Sequence, residues 1–382
     1  MRLTWPTTPL LVLRLRRTLL AALLILPAGA VSAEASSDPT PPASGSEDLV
    51  SVRPAGADIP FSHFASPEAR RALAALRKAP PEPDFRSDVE GLRRFHSEAT
   101  EKLLVPMRDR YAVSITARTI AGINTQVVVP QQGIATTNRG RVLINLHGGA
   151  FAFGSGNGGL VESVPIAATE RIEVIAVDCK LAPEYKFPAA TEDVAAVYRE
   201  LLKTHRPENI GIYGCSAGGI LAAESVAWFA THDLPQPGAI ASLCATGAQL
   251  DGDSSYLAPL LSGTPIPVGG HPLVLTGLPY FQGVDPNDPL AFPIVSPQLL
   301  VKFPPTLLIS GNRDFSASSL TVMHRRLRAA GVEAELYLFD GLWHAFVVDC
   351  TLPESREVYG IIAHFFDRHL GHSRSHAAHG TT

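Results

Sequence analysis

The sequence predicts an α/β fold, in which helices cover both faces of a mostly parallel sheet. Short apolar runs typical of buried strands alternate with longer stretches that have the helical spacing of apolar residues. One strand-like run, 209–213, leads directly into Gly214-x-Ser216-x-Gly218, the pattern of a sharp strand-to-helix turn. With 46% hydrophobic and 18% charged residues, the chain of 382 residues can bury a sizeable core, which excludes wholesale disorder.

The elements follow from these patterns in chain order. Helical spacing predicts helices at 67–77 and 89–110, with the run Pro80-Pro81-Glu82-Pro83 between them. Apolar runs then predict seven strands, at 126–129, 142–146, 174–178, 210–213, 240–244, 306–309 and 336–339. Further helices are predicted at 190–204, 218–231, 316–330 and 357–369. The proline- and glycine-rich segment 252–293 breaks the alternation, and so long an irregular stretch inside a compact domain is usually functional.

The two ends of the chain differ in composition from the folded part, which we expect at 59–371. Residues 1–33 contain arginines, a short apolar segment and a small-x-small site, the pattern of a cleaved secretory signal. The competing interpretation is a membrane anchor, which needs about twenty apolar residues. We therefore expect an exported protein with no stable membrane span after cleavage. Residues 34–58 predict a disordered linker, and the histidine-rich end 372–382 predicts a solvated tail rather than a metal site.

The turn Gly214-x-Ser216-x-Gly218 identifies a candidate nucleophile. Small flanking residues let the backbone close sharply, which leaves the serine hydroxyl exposed at the edge of a sheet. The N–H of Ala217, the residue after the serine, is then a candidate donor to a developing oxyanion. Because this spacing also arises by chance in glycine-rich chains, the rest of the sequence has to support the interpretation.

A second glycine-rich turn follows the predicted strand at 142–146. It reads His147-Gly148-Gly149-Ala150, and consecutive glycines allow backbone N–H groups to approach a ligand oxygen without a side chain between them. We predict that Gly148 and Gly149 supply these donors. An ordinary strand-to-loop turn would be the simpler explanation if no nucleophile followed.

A base and an orienting carboxylate should follow the serine in the order serine, acid, histidine. Asp314 comes just after the predicted strand at 306–309, and His344 follows the strand at 336–339 after a glycine turn. In such a site His344 takes the proton of Ser216, and Asp314 fixes the histidine tautomer and stabilises its imidazolium. Asp340 is the alternative orienting residue, although it lies only four residues from the histidine.

Three motifs together resemble the hormone-sensitive-lipase-like esterases of the α/β-hydrolase superfamily. They are His147-Gly148-Gly149-Ala150-Phe151, Leu181-Ala182-Pro183-Glu184 and Gly214-Cys215-Ser216-Ala217-Gly218-Gly219. The resemblance covers roughly residues 60 to 370. It implies an α/β-hydrolase fold with an eight-stranded, mostly parallel sheet, a helical cap formed by about 60–112 and 252–293, a small-molecule carboxylic ester substrate and no cofactor.

The chain departs from the family pattern at three positions. Ala150 replaces the third glycine of the first motif, and Cys215 stands where the family usually has an acidic residue. Lys180 replaces an arginine before the second motif, which keeps the charge but removes planar bidentate pairing. We expect Cys215 to be a buried thiol rather than a nucleophile, because its side chain lies on the strand side of the turn.

These observations predict an exported serine carboxylesterase that acts on small to medium esters through an acyl-enzyme. Amide or peptide hydrolysis by the same residues is an alternative, and a non-catalytic ligand-binding protein on this scaffold is a further one. The net charge of −4 and the lack of a long basic block argue against nucleic acid as a partner. We expect no metal ion, a monomer or homodimer, and no more than one disulfide among the four cysteines.

Overall fold

The structure is a computed structural model that describes residues 59–84, 87–262 and 274–371. The predicted signal segment 1–33, the linker 34–58 and the tail 372–382 lie outside these residues. None of the described helices combines the length and the apolar character that crossing a membrane requires.

The described residues form helices and strands that alternate through most of the chain. The helices are α1 (Pro67–Leu76), α2 (Val89–Arg110), α3 (Asn157–Glu170), α4 (Ala189–Leu201), α5 (Ala217–Thr231), α6 (Asp253–Ser262), α7 (Pro297–Leu300), α8 (Ala317–Ala329) and α9 (Pro353–His369). The strands are β1 (Val113–Ile120), β2 (Ile123–Pro130), β3 (Val142–Leu146), β4 (Glu173–Val177), β5 (Ile210–Cys215), β6 (Ala239–Leu243), β7 (Thr306–Arg313) and β8 (Ala334–Trp343). All seven strands predicted from apolar runs are present; the additional strand is β1.

All eight strands belong to one sheet, in the order β1-β2-β4-β3-β5-β6-β7-β8. The antiparallel pairs are β1 with β2 and β2 with β4, whereas every pair from β4 to β8 is parallel. The predicted eight-stranded, mostly parallel sheet is thereby confirmed. Because the strands from β3 to β8 run the same way, residues that follow β3, β5, β7 and β8 meet along one edge of the sheet.

Apolar side chains fill the space on both faces of the sheet. On one face α4, α5 and α8 pack against the strands, and Ile144, Ile212 and Leu308 belong to this cluster of buried residues. On the other face lie α3 and α9, with Leu143, Tyr213 and Leu307 of the strands in the same buried cluster. The central strands are buried on both sides, which explains why they read as continuous apolar runs in the sequence.

The helix α2, which precedes the sheet, is attached to two loops at the edge where the strands end. Arg93 donates from Nε to the carbonyl oxygen of Ala152 at 2.8 Å and from Nη2 to that of Ala182 at 3.0 Å. Its guanidinium also forms a bidentate pair with Glu184, at 2.8 and 2.7 Å. One side chain therefore joins α2 to the loops that follow β3 and β4.

The irregular segment predicted at 252–293 contains α6 and several short 3-10 turns, with residues 263–273 outside the described chain. Tyr280 and Phe281 are fully buried, and the ring of Phe151 stacks on Tyr280 with 4.2 Å between the ring centroids. These two aromatic residues therefore hold this segment to the loop after β3. The assignment of 60–112 and 252–293 to a cap stays a prediction.

Candidate active site

Ser216 lies on a sharp turn between the end of β5 and the beginning of α5. Its backbone has φ 58° and ψ −120°, a combination that costs on the order of 1–3 kcal/mol for a residue other than glycine. The turn closes against the end of β3, because a Cβ on Gly214 or Gly218 would collide with the carbonyl oxygen of Leu146. The two glycines thus allow the contact that keeps the serine in its strained conformation.

The three residues predicted as a catalytic triad are brought together. Nε2 of His344 is 2.8 Å from Oγ of Ser216, and Nδ1 of His344 is 2.9 Å from Oδ1 of Asp314. Asp314 directly follows β7, and His344 directly follows β8, so both are placed by neighbouring parallel strands. This arrangement provides a hydroxyl, a base that can take its proton, and a carboxylate that orients the base.

Asp314 is fully buried, and several donors satisfy its carboxylate in addition to His344. Ser310 donates to Oδ2 at 2.6 Å, and the backbone N–H of Ser316 donates to Oδ1 at 2.9 Å. These bonds fix the carboxylate, and charge-assisted bonds of this kind are stronger than neutral ones. On its other side, the histidine is held by the ring of Phe315, which stacks on it at a centroid distance of 4.1 Å.

Asp340, the alternative orienting residue, lies within β8 and not in the loop before His344. Its carboxylate accepts hydrogen bonds from Ser62 and Asn312, and its neighbourhood is exposed. The histidine ring contacts Asp314 instead. In this structure Asp340 therefore belongs to the network that connects β8 with the residues before α1.

The glycine-rich loop after β3 lies directly against the nucleophile turn. A Cβ on Gly148 would be 3.4 Å from Cβ of Ser216 and 3.0 Å from the carbonyl oxygen of Cys215. The N–H of Gly148, however, donates to Oε1 of Glu162 at 3.0 Å. This bond corrects the predicted role of Gly148, because an N–H that already serves a buried carboxylate is not available to an oxyanion.

Three other backbone N–H groups remain as candidate oxyanion donors. Within the described ranges, the N–H groups of Gly149, Ala150 and Ala217 form no hydrogen bond. Gly149 has φ 118° and Ala150 has φ 50°, so this part of the loop turns sharply. The roles of Gly149 and Ala217 stay predictions, and Ala150 joins them as a candidate.

Cys215 is buried directly before the nucleophile, next to the thiol of Cys244. The hydrogen bond with Cys244 and the burial both raise the pKa of the Cys215 thiol. Since the thiolate is the reactive form, a raised pKa makes this cysteine a poor nucleophile. Cys179, Cys215, Cys244 and Cys350 are all free and buried, so the structure contains no bridge among them.

Glu162 is a residue of the site that the sequence analysis missed. It lies in α3, a helix whose residues are buried on nearly every side and which therefore has no amphipathic pattern. The sequence did contain a signal for this residue, because Glu162 lies in an apolar stretch that includes Val161, Val164 and Ile166. A carboxylate buried in such a stretch needs hydrogen-bond partners, and these partners turn out to belong to the site.

The described residues contain one group of side chains with the spacing of a metal site, formed by Glu333, Glu335 and His369. Glu335 is already paired with Arg368. The group lies at the beginning of β8, about 30 Å along the strand from His344. It therefore has no part in the chemistry at Ser216.

A mostly parallel sheet that carries a serine on a strand-to-helix turn, followed in the chain by an acid and a histidine, defines the class of α/β hydrolases. The chain belongs to this family: residues 143–348 match the family model described as the alpha/beta hydrolase fold. The resemblance to hormone-sensitive-lipase-like esterases is confirmed by a solved structure described as an esterase from the bacterial hormone-sensitive lipase family. It is 26% identical, has a TM-score of 0.68, and the match covers 80% of this chain and 99% of that one.

Relatives with curated names lead to the same class. An esterase from Acinetobacter venetianus is 28% identical over 262 residues, which cover 66% of this chain and 82% of the relative. An acetyl-hydrolase from Streptomyces hygroscopicus is 26% identical over 228 residues, which cover 59% of this chain and 75% of the relative. These relatives, together with the structural neighbour, confirm the predicted enzyme class, a carboxylic ester hydrolase.

Proposed function

We propose that this protein is a serine carboxylesterase that hydrolyses small to medium carboxylic esters through an acyl-enzyme. The observation that carries the proposal is the continuous chain of hydrogen bonds from Ser216 through His344 to the buried Asp314. In this chain the base lies within bonding distance of the hydroxyl whose proton it must remove, which is the geometric requirement for general-base catalysis.

The reaction proceeds in two steps that use the same residues. Oγ of Ser216 attacks the ester carbonyl carbon while Nε2 of His344 takes the hydroxyl proton, and the alcohol leaves with that proton. Water then attacks the carbonyl carbon of the acyl-enzyme while Nε2 of His344 takes its proton. The bond between that carbon and Oγ of Ser216 breaks, His344 returns the proton to Oγ, and the carboxylic acid leaves. Asp314 contacts Nδ1 of His344 and stabilises the imidazolium that forms twice in each cycle.

The oxyanion of each tetrahedral intermediate is stabilised by backbone N–H groups of Gly149, Ala150 and Ala217. These groups lie on the two segments that meet at Ser216, and they are free of other hydrogen bonds within the described residues. Loss of one such donor typically lowers turnover by about 10²–10³-fold.

Short acyl groups are the best first substrates to test. The acetyl-hydrolase name of the Streptomyces relative supports acetyl esters, although an apolar pocket distinguishes chain lengths by only about 1–3 kcal/mol per methylene. Nitrophenyl acetate, butyrate and octanoate form a series in which only the acyl length changes.

The identity of the nucleophile is tested with a fluorophosphonate and the nitrophenyl esters. We expect the probe to label Ser216, and Ser216→Ala to lose about 10³-fold or more in kcat while it remains folded. The matched control is Cys215→Ala in the same turn, which should keep its activity within about tenfold. Labelling of another residue, or an active Ser216→Ala variant, would contradict the proposal.

We further propose that the protein is exported, on the evidence of the signal pattern at 1–33. The protein recovered from outside the cytoplasm should then begin at Glu34, directly after the small-x-small site. N-terminal sequencing or intact mass measurement checks this. Recovery of the whole chain from the cytoplasm alone would reject export.

A further inference from the structure

A buried carboxylate lies beneath the two segments that form the site. Glu162 is only 6% exposed and belongs to α3, the helix that packs against β2, β3 and β4 on one face of the sheet. It contacts none of the three triad side chains. Because α3 supplies no triad residue, Glu162 could be a purely structural residue. Its hydrogen-bond partners, however, belong to the two segments that form the site.

The two oxygens of Glu162 accept three hydrogen bonds, two from β3 and the loop that follows it and one from the end of β5. Oε1 accepts the backbone N–H of Gly148 at 3.0 Å, and Oε2 accepts the backbone N–H of Cys215 at 3.0 Å. Oε2 also accepts Nδ2 of the buried Asn145, again at 3.0 Å. One of the backbone donors lies in the loop with the candidate oxyanion donors, and the other belongs to the residue directly before the nucleophile.

One side chain therefore joins the loop that contains Gly149 and Ala150 to the nucleophile turn, in addition to the pairing of β3 with β5. Gly148 directly precedes Gly149, and Cys215 directly precedes Ser216, so a shift of either N–H moves a group that must contact the substrate. Catalytic groups have to be held within about 0.5 Å of their productive positions. Misplacement by about 1 Å can lower the rate by about 100-fold.

We propose that Glu162 is a positioning residue of the ester hydrolysis, and that its ionised carboxylate holds the loop after β3 and the nucleophile turn in register. This inference rests on the proposed function of the same site. It adds a residue that touches neither substrate nor triad, and it makes the site depend on the charge of a group inside the molecule.

Burial raises the pKa of Glu162 to about 7, while the bonds from Asn145, Gly148 and Cys215 oppose the rise. The titratable groups that face it come from several elements. They are Tyr213 and Cys215 of β5, Cys244 after β6 and Tyr359 of α9. Burial also raises the pKa values of Tyr213 and Tyr359, so these two side chains are neutral near pH 7.

Protonation of Glu162 conflicts with this set of partners. All three partners are donors, and a protonated carboxyl group places a further donor among them. Protonation also removes the negative charge that strengthens all three bonds, so the hold on the two backbone N–H groups weakens. Activity should consequently require Glu162 to be ionised.

The decisive variant is Glu162→Gln, which keeps the shape of the side chain but replaces one acceptor by a donor. We expect kcat for nitrophenyl acetate to fall by about 10–100-fold and the rate of fluorophosphonate labelling at Ser216 to fall in parallel, with KM within about threefold. The matched control is Glu170→Gln, a buried glutamate two turns further along α3, which should change kcat by less than about twofold. Equal kcat values for wild type and Glu162→Gln would overturn the inference.

The pH profile provides a readout that a purely structural role would not change. In the wild type, log(kcat/KM) should fall towards low pH, and Glu162→Gln should show a slope that is shallower by about one, because Glu162 no longer takes up a proton. Equal slopes for the two proteins would reject the role of Glu162 without affecting the proposed esterase, whereas absence of labelling at Ser216 in the wild type would reject the esterase itself.

Discussion

At the scale of single residues, the site contains two buried carboxylates with different tasks. Asp314 contacts the base directly, whereas Glu162 holds the backbone on either side of the nucleophile. The residues of the triad could be predicted because the nucleophile turn is a local pattern and the order serine, acid, histidine is read along the chain. The bond between Gly148 and Glu162 could not, since it depends on how α3 packs beneath β3 and β5.

The ranking of the two candidate orienting residues is a prediction at this scale. Asp314→Asn should lower kcat by about 10³–10⁴-fold with little change in folding, because the amide no longer holds His344 in the tautomer that accepts the serine proton. Asp340→Asn is the control, and it should retain activity within about threefold because its partners are Ser62 and Asn312. Steady-state kinetics on nitrophenyl acetate measure both variants, and a larger loss for Asp340→Asn would move the orienting role to that residue.

At the scale of elements, the sequence predicts those that have a clear pattern. The helix predicted at 89–110 has the observed bounds, and the strands predicted from apolar runs are all present. β1 and α3 are among the elements that were not predicted, and both lack a readable pattern. Six of the eight residues of β1 are exposed at the edge of the sheet, so this strand contains no apolar run. The helix α3 is buried on nearly all sides, so it has no polar face, and it also contains Pro165, which is unusual inside a helix.

The lack of a clear sequence pattern also explains why the last two strands are longer than predicted. β7 and β8 extend four residues beyond their predicted ends, to Arg313 and Trp343. In β7 the added residues are polar or glycine, and in β8 the added residues begin with Asp340 and Gly341, which are typical of a loop. They pair with a shift in register between Gly311 and Arg313. A Cβ on Gly311 would collide with the carbonyl oxygen of Leu342, so the close approach of the two strands requires this glycine. Such tertiary contacts override the local composition.

At the scale of the whole molecule, the interior holds several carboxyl groups whose pKa values are raised by burial: Glu162, Glu170 and Glu224. A carboxyl group with a raised pKa binds its proton more tightly in the folded than in the unfolded state. Its contribution to stability is fully present below the unfolded pKa, and it is lost as the pH rises through the folded pKa. The molecule should therefore become less stable as its interior ionises.

For Glu162 this loss can be measured by difference. Its pKa rises from 4.5 to about 7, so the wild type should lose about 2–3 kcal/mol of unfolding free energy between pH 5 and pH 8 relative to Glu162→Gln. Denaturant unfolding of both proteins at pH 5, 6, 7 and 8 gives this difference, and the contributions of Glu170 and Glu224 cancel. A difference that is independent of pH would show that Glu162 titrates alike in both states. The expected loss means that, at this one carboxyl group, activity rises and stability falls as the pH increases.

The hydrogen bonds of the Arg93 guanidinium limit which segments of this protein can be exchanged with those of a related protein in a chimera. Because the guanidinium bonds the carbonyl oxygens of Ala152 and Ala182 and the carboxylate of Glu184 together, α2 cannot be exchanged independently of the loops that follow β3 and β4. A chimera that takes this helix from another protein has to supply a planar, multidentate cation at this position, and the compact ammonium of a lysine cannot replace it. Recombination at points within the strands of the sheet would preserve these bonds only if α2 and the loops after β3 and β4 came from the same parent protein.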